Sequence, residues 1–202
     1  MDKNADIKKS LVNVDDSVLV VIDIQDSFLI KYDDSVGKLL LQKVVWLLKI
    51  AGHLNVPVVA MAEDIDRAGN LNQYIQDALP KALKIHNKNV FGLAGNPEIL
   101  ADVEASGRNT AILVGTETDV CVSQSALGLM ERGYQVVVLK DAIATTAGDG
   151  EIGLGRMRDA GAAISSVKAI TYEWLQSVQN TIELFEKCPE LETTELPAGL
   201  LL

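Results

Sequence analysis

At 202 residues with 48% hydrophobic side chains, the chain can bury a substantial core, and residues 1–202 have the length of one ordinary domain. A formal charge of -10 disfavours attraction to nucleic acid or anionic lipid, and only 4% aromatic residues argues against a surface built to stack bases or sugars. The two cysteines, Cys121 and Cys188, lie far apart and in no metal-type spacing, which speaks against a disulfide framework or a zinc ribbon and fits a cytoplasmic location.

The first ten residues are charged and polar, so no signal peptide is expected, and no later apolar run is long enough for a bilayer. Val18-Leu19-Val20-Val21-Ile22-Asp23 is an uninterrupted apolar run of the kind that fills a strand buried on both faces, and it ends on a charge. Over 35–54, Leu39, Leu40, Val44, Leu47, Leu48 and Ala51 recur at three- and four-residue spacing, which describes a helix with one buried face. Pro57 stops helical geometry and opens a second strand at 58–62. The pattern then gives a helix at 70–78, a strand at 82–86 and a helix at 97–106, with Asn96 as N-cap and Pro97 at its first position. A fourth strand follows at 110–114, a helix at 122–132 closed by Gly133, and a fifth strand at 135–139. A helix at 151–160 closed by Gly161 and a short strand at 162–165 complete the alternation. Beyond Tyr172, the residues Trp174, Leu175, Val178, Ile182, Leu184 and Phe185 make one last apolar-faced helix. The tail, about 177–202, either lacks order beyond Cys188 or docks on a neighbouring subunit.

Six strands separated by helices demand parallel pairing, because a parallel crossover needs that length. The expected fold is α/β: a three-layer, doubly wound, Rossmann-like sheet of six mainly parallel strands. Such sheets bind ligands at the carboxyl ends of their strands, near the reversal of strand order. Functional residues should therefore follow Ile22, Ile85 and Val114.

Cys121 follows a strand and the turn Gly115-Thr116-Glu117-Thr118-Asp119-Val120, and it opens a helix. A thiol there faces unsatisfied N–H groups and the positive end of the helix dipole, which favour thiolate. A buried core cysteine explains the same local context equally well. Asp23 alone reads as a cap, and Lys88 alone as a solvated loop lysine. The fold brings all three to one edge of the sheet, and that convergence points to a nucleophile with two charged partners.

These residues sit in segments that resemble the isochorismatase-like cysteine hydrolases, the superfamily that includes nicotinamidases and N-carbamoylsarcosine amidohydrolases. The resemblance spans about 18–165. It rests on Val20-Val21-Ile22-Asp23-Ile24-Gln25-Asp26-Ser27-Phe28, on Lys88 with Phe91, on Val114-Gly115-Thr116-Glu117-Thr118-Asp119-Val120-Cys121-Val122, and on Gly133-Tyr134 and Asp141-Ala142. It implies a triad of Asp23 as general base, Lys88 as the balancing cation and Cys121 as nucleophile, cleaving a C–N bond of a small molecule through a thioester. It also implies an oxyanion hole from the backbone N–H groups of Glu117 and Cys121, with a cis peptide between Thr116 and Glu117. Gln25, Phe28, Phe91 and Thr118 are expected to contact substrate. A homo-oligomer is implied as well.

The metal-dependent nicotinamidases carry histidines after the second strand, whereas here that segment reads Met61-Ala62-Glu63-Asp64-Ile65-Asp66-Arg67-Ala68-Gly69. No metal is expected, and the carboxylates read as an exposed acidic loop. Gly153-Leu154-Gly155 neither follows a strand nor carries a third glycine, so no dinucleotide cofactor is expected. His86 and Cys188 have no expected role. Competing readings are a vinyl-ether hydrolase of the isochorismate type, which does not need the cysteine, and a catalytically silent protein that binds a small ligand in the same pocket.

Overall fold

The apolar run at the start of the chain forms β1 (Ser17–Ile22), and every residue in it is buried. This structure is a computed structural model that describes residues 11–146 and 149–192. After β1 come α1 (Asp26–Leu29), α2 (Asp34–His53), β2 (Val58–Glu63), α3 (Ile65–Ala68), α4 (Gln73–Ala78) and β3 (Ile85–Lys88). The second half adds α5 (Pro97–Ala105), β4 (Thr110–Thr116), α6 (Ser123–Met130), β5 (Gln135–Ala144), α7 (Gly150–Asp159), β6 (Ala163–Ser165), α8 (Val167–Leu175) and α9 (Val178–Lys187).

All six strands pair in parallel in the order β3-β2-β1-β4-β5-β6, so the expected doubly wound α/β sheet is present. The order reverses between β1 and β4, which places the switch point at Ile22 and Gly115, partners in register. Alternation along β1 sends side chains to two cores. Leu19 and Val21 meet Leu40, Val44, Leu47 and Ala51 of α2 and Ile170 and Trp174 of α8. Val18, Val20 and Ile22 meet Ile99 of α5, Ala126 and Leu129 of α6 and Leu154 of α7. Helices on both faces explain why β1 and β4 carry no polar alternation.

Asp141 of β5 ties three elements together. Its Oδ2 lies 2.7 Å from Lys43 Nζ of α2, and its Oδ1 accepts from the Val167 N–H at the start of α8. Asp141→Ala is expected to cost about 2 kcal/mol, because it strands a buried lysine and a helix-initial amide together. Urea unfolding at pH 7 measures this, and a loss below a few tenths of a kcal/mol would show that the pair is merely superficial.

Several boundaries shift. The third strand starts at Ile85 rather than at 82, because a turn in which Leu83 N–H bonds to Pro80 C=O precedes it. Asn96 precedes α5 but does not cap it through its side chain; its amide instead donates to the Val90 and Gly92 carbonyls. The single last helix is two, broken at Gln176 in left-handed conformation and restarted by Ser177, whose hydroxyl accepts from Asn180 N–H. As far as residue 192 the tail folds back on its own chain: Leu184 and Leu191 are buried, and Trp46 Nε1 donates to the Leu191 carbonyl. Cys188 Sγ lies 3.2 Å from His53 Nδ1 at the end of α2. The apolar end at 199–202 lies outside the described residues. No helix among those described is long and apolar enough to cross a membrane.

Candidate active site

Four strand ends converge at the carboxyl edge of the sheet. Asp23 follows β1 in left-handed conformation, φ 52°, a strained state for a non-glycine residue. The neighbours hold it there: its N–H donates to the Met61 carbonyl, and its own carbonyl accepts from Gln25 N–H and the Thr116 hydroxyl. Lys88 is the last residue of β3, directly opposite Glu63 of β2 in the strand register. Cys121 sits in a wide helical turn, Thr118–Val122, that links β4 to α6 and is entered through Glu117 at φ 58°.

Lys88, Asp23 and Cys121 are all buried. The Lys88 ammonium lies 2.9 Å from Asp23 Oδ2, 3.6 Å from Cys121 Sγ and 3.4 Å from Glu63 Oε2. The contact with Asp23 is an ion pair off the hydrogen-bonding direction, so neither Asp23 oxygen accepts a well-aligned hydrogen bond. The Cys121 thiol donates to Glu63 Oε2 at 3.2 Å. The ligand atoms of Asp23, Glu63 and Cys121 lie within 4.8 Å of one another, a spacing that could hold a metal ion. The Lys88 ammonium, however, already stands among them as the balancing cation.

Burial pushes the Asp23 carboxyl up to about 6, against the opposing pull of Lys88. Burial also pushes the Cys121 thiol far up, reinforced by the Asp23 charge, although Lys88 opposes it. For Lys88, burial works against the charged form, but Asp23, Cys121 and Glu63 together outweigh it and raise the lysine. The expectation of a thiolate favoured by a helix amino terminus is therefore corrected. Cys121 lies inside the wide turn, two residues before α6, and is buried. Its burial favours the thiol form.

The expected cis peptide is also corrected. No cis bond occurs among the described residues, and left-handed Glu117 makes the turn in its place. The Tyr32 hydroxyl donates to Glu117 Oε1 at 3.1 Å.

The structure separates the expected substrate contacts. Gln25 spends its side-chain amide on the backbone: it donates to the Glu63 and Gly69 carbonyls and accepts from Glu63 N–H. It pins the segment after β2 rather than reaching a ligand. Phe28 lines an open cavity of about 360 Å³ together with Lys31, Glu63 and Arg67. Thr118 is buried and lines a different cavity, beside Lys140 and Thr145, while Phe91 is half exposed and belongs to neither lining. His86, one pleat before Lys88 on the same face of β3, pairs instead with Asp102 of α5 at 2.7 Å.

Glu63 is the member that sequence reasoning missed, because it was read as the first residue of an exposed acidic loop. The signal was present: β2 is a buried strand that ends on a carboxylate, just as β1 is followed at once by one. Of the four clustered side chains, Glu63 alone reaches the cavity, with 24% of its side chain exposed.

Comparison with known proteins agrees with this architecture. Isochorismatase family protein 1A of Dictyostelium discoideum is 31% identical over 168 residues, which cover 78% of this chain and 77% of the relative. The ycaC gene product of Escherichia coli, described as an octameric hydrolase of unknown specificity, superposes with a TM-score of 0.79 at 23% identity, covering 90% of this chain and 93% of that one. N-carbamoylsarcosine amidase of Thermoplasma acidophilum superposes with a TM-score of 0.62 at 18% identity, covering 75% of this chain and 96% of that one. Residues 17–169 match the Isochorismatase domain, and the chain belongs to the isochorismatase family of hydrolases.

Proposed function

We propose that this hydrolase cleaves a C–N bond in a small amide, ureide or carbamoyl compound through a thioester on Cys121. The observation that carries the reading is the buried contact chain from Asp23 through Lys88 to Cys121, with spans of 2.9 and 3.6 Å. A carboxyl near 6 is ionised at neutral pH yet is a stronger base than an ordinary aspartate, which suits it to take the thiol proton. The Cys121 sulfur then forms a bond to the substrate carbonyl carbon. As the C–N bond breaks, Asp23 returns the proton to the departing nitrogen. Water attacks the thioester, the acid leaves and the thiol is restored.

Lys88 holds positive charge beside both anionic groups throughout, and the Cys121 backbone N–H is the proposed oxyanion donor. Glu117 is not carried forward as a donor, given its trans bond. The named activity of the N-carbamoylsarcosine amidase supports C–N cleavage over vinyl-ether cleavage, and the octameric relative supports a homo-oligomer. Two free cysteines suit the cytoplasm.

Alkylation by iodoacetamide, located by peptide mass spectrometry, tests the reading together with ammonia release from a panel of amides and ureides. Cys121 is expected to react faster than Cys188, with a rate that falls as pH drops through about 6 and Asp23 takes up a proton. Asp23→Asn should abolish both the rapid alkylation and the ammonia release. Labelling of Cys121 no faster than that of Cys188, with no ammonia from any compound, would leave a silent binding protein in place of an enzyme.

A further inference from the structure

Glu63 occupies a place that the triad does not explain: it stands between the cavity and the nucleophile. Both of its ionic or polar side-chain contacts fall on Oε2, from Lys88 Nζ at 3.4 Å and from Cys121 Sγ at 3.2 Å, which leaves Oε1 for the cavity that Glu63 lines. A reacting carbonyl that approaches Cys121 from this cavity passes beside that carboxylate.

The surrounding charges do not cancel it. Lys31 lies 3.8 Å from Glu117, Arg67 lies 3.6 Å from Asp64, and Lys88 lies 2.9 Å from Asp23. Lys88 is thus shared between Asp23 and Glu63, while Lys31 and Arg67 each lie against another carboxylate, so these four carboxylates outnumber the three cations by one. Next to a low-dielectric, buried thiol, a carboxylate that only shares its cation attracts N–H donors and repels anions.

We propose that Glu63 sets substrate charge at this site: it accepts an N–H from a neutral or cationic amide, ureide or amine beside Cys121, and it turns away substrates whose reacting end carries a carboxylate. This rests on the reading of Cys121 as the nucleophile. Within the C–N hydrolases it narrows the substrate to compounds with a free N–H near the scissile carbonyl and no acid group adjoining it.

Iodoacetamide and iodoacetate differ in charge and little in size, so their rate ratio at Cys121 reads the effect without knowledge of the substrate. The ratio is compared with that of N-acetylcysteine thiolate in the wild-type protein, in Glu63→Gln and in Glu63→Asp. The wild-type preference for the amide reagent is expected to exceed the free-thiol preference by about tenfold or more, as a close like charge at an intermediate dielectric implies. Glu63→Gln should collapse this to the free-thiol ratio, and Glu63→Asp should keep most of it. If Glu63 only supports Lys88, Glu63→Gln will slow both reagents equally and leave the ratio unchanged, which overturns the proposal while the nucleophile stands. Failure of both reagents to label wild-type Cys121 overturns the nucleophile and this proposal together.

Discussion

Lys88→Met is expected to destabilise the protein by about 3–5 kcal/mol at neutral pH, since breaking a buried pair leaves an uncompensated charge in a dry site. Lys88 is fully buried, and its ammonium is the cation nearest to Asp23, Glu63 and Cys121 at once. Methionine fills a similar length, so the loss reads charge rather than a cavity. The penalty should shrink on acidification. Without the ammonium, the Asp23 carboxyl rises above its present value of about 6, and protonation then relieves the stranded charge. Guanidinium unfolding at pH 8 and at pH 5 separates the two conditions, and equal losses at both would rule out the electrostatic account. Turnover should fall by about a hundred- to a thousandfold, the usual range for removing a preorganised charge. Arginine should not rescue it, because a planar guanidinium cannot occupy the point where three acidic groups meet one ammonium.

Gly115→Ala is expected to be nearly as damaging without touching any charged group. Gly115 lies at the bulge in β4 with φ 144°, and a Cβ there would stand 2.1 Å from the Ile22 carbonyl oxygen of β1. Strain at an unfavourable backbone angle and overpacking in the sheet add to about 4 kcal/mol. For a chain of this size that is about 10 °C in Tm. Gly155→Ala is the matched control: nothing lies within 4 Å of a Cβ there, and alanine favours its helix. A Gly115→Ala protein that melts within a degree or two of Gly155→Ala would show that β1 and β4 can part at their ends without cost.

The alternation of apolar runs made the sheet and both helical layers legible, because strands buried on two faces have no polar phase to hide in. Asp23 was legible because it follows such a run, whereas Lys88, which ends the polar strand Ile85-His86-Asn87-Lys88, and Cys121, which lies beyond a turn, became legible only through the convergence of strand ends and the family resemblance. Glu63 was not, since Glu63-Asp64-Ile65-Asp66 looks like solvated charge until the end of β2 is known to fall on its first member. The Gln176 break was hidden by Val178, Ile182 and Phe185, which continue the spacing of the preceding helix across a left-handed residue. The left-handed turn at Glu117 carries no sequence mark either, because a glycine is what such a position would announce.

The His86–Asp102 contact acquires a meaning from the shortness of β3. This four-residue edge strand pairs only with β2, and its burial alternates so that His86 and Lys88 face inward while Asn87 faces out. A slip of one residue along β2 would turn Lys88 to the opposite side of the sheet and leave the carboxylates with no counter-ion. His86 held by Asp102 of α5 on the inner side, and Asn87 Oδ1 accepting the Ile65 N–H on the outer side, lock the strand from both faces. Assembly of the charged cluster is thus a matter of alignment fidelity, guarded by two contacts that lie outside the cluster itself.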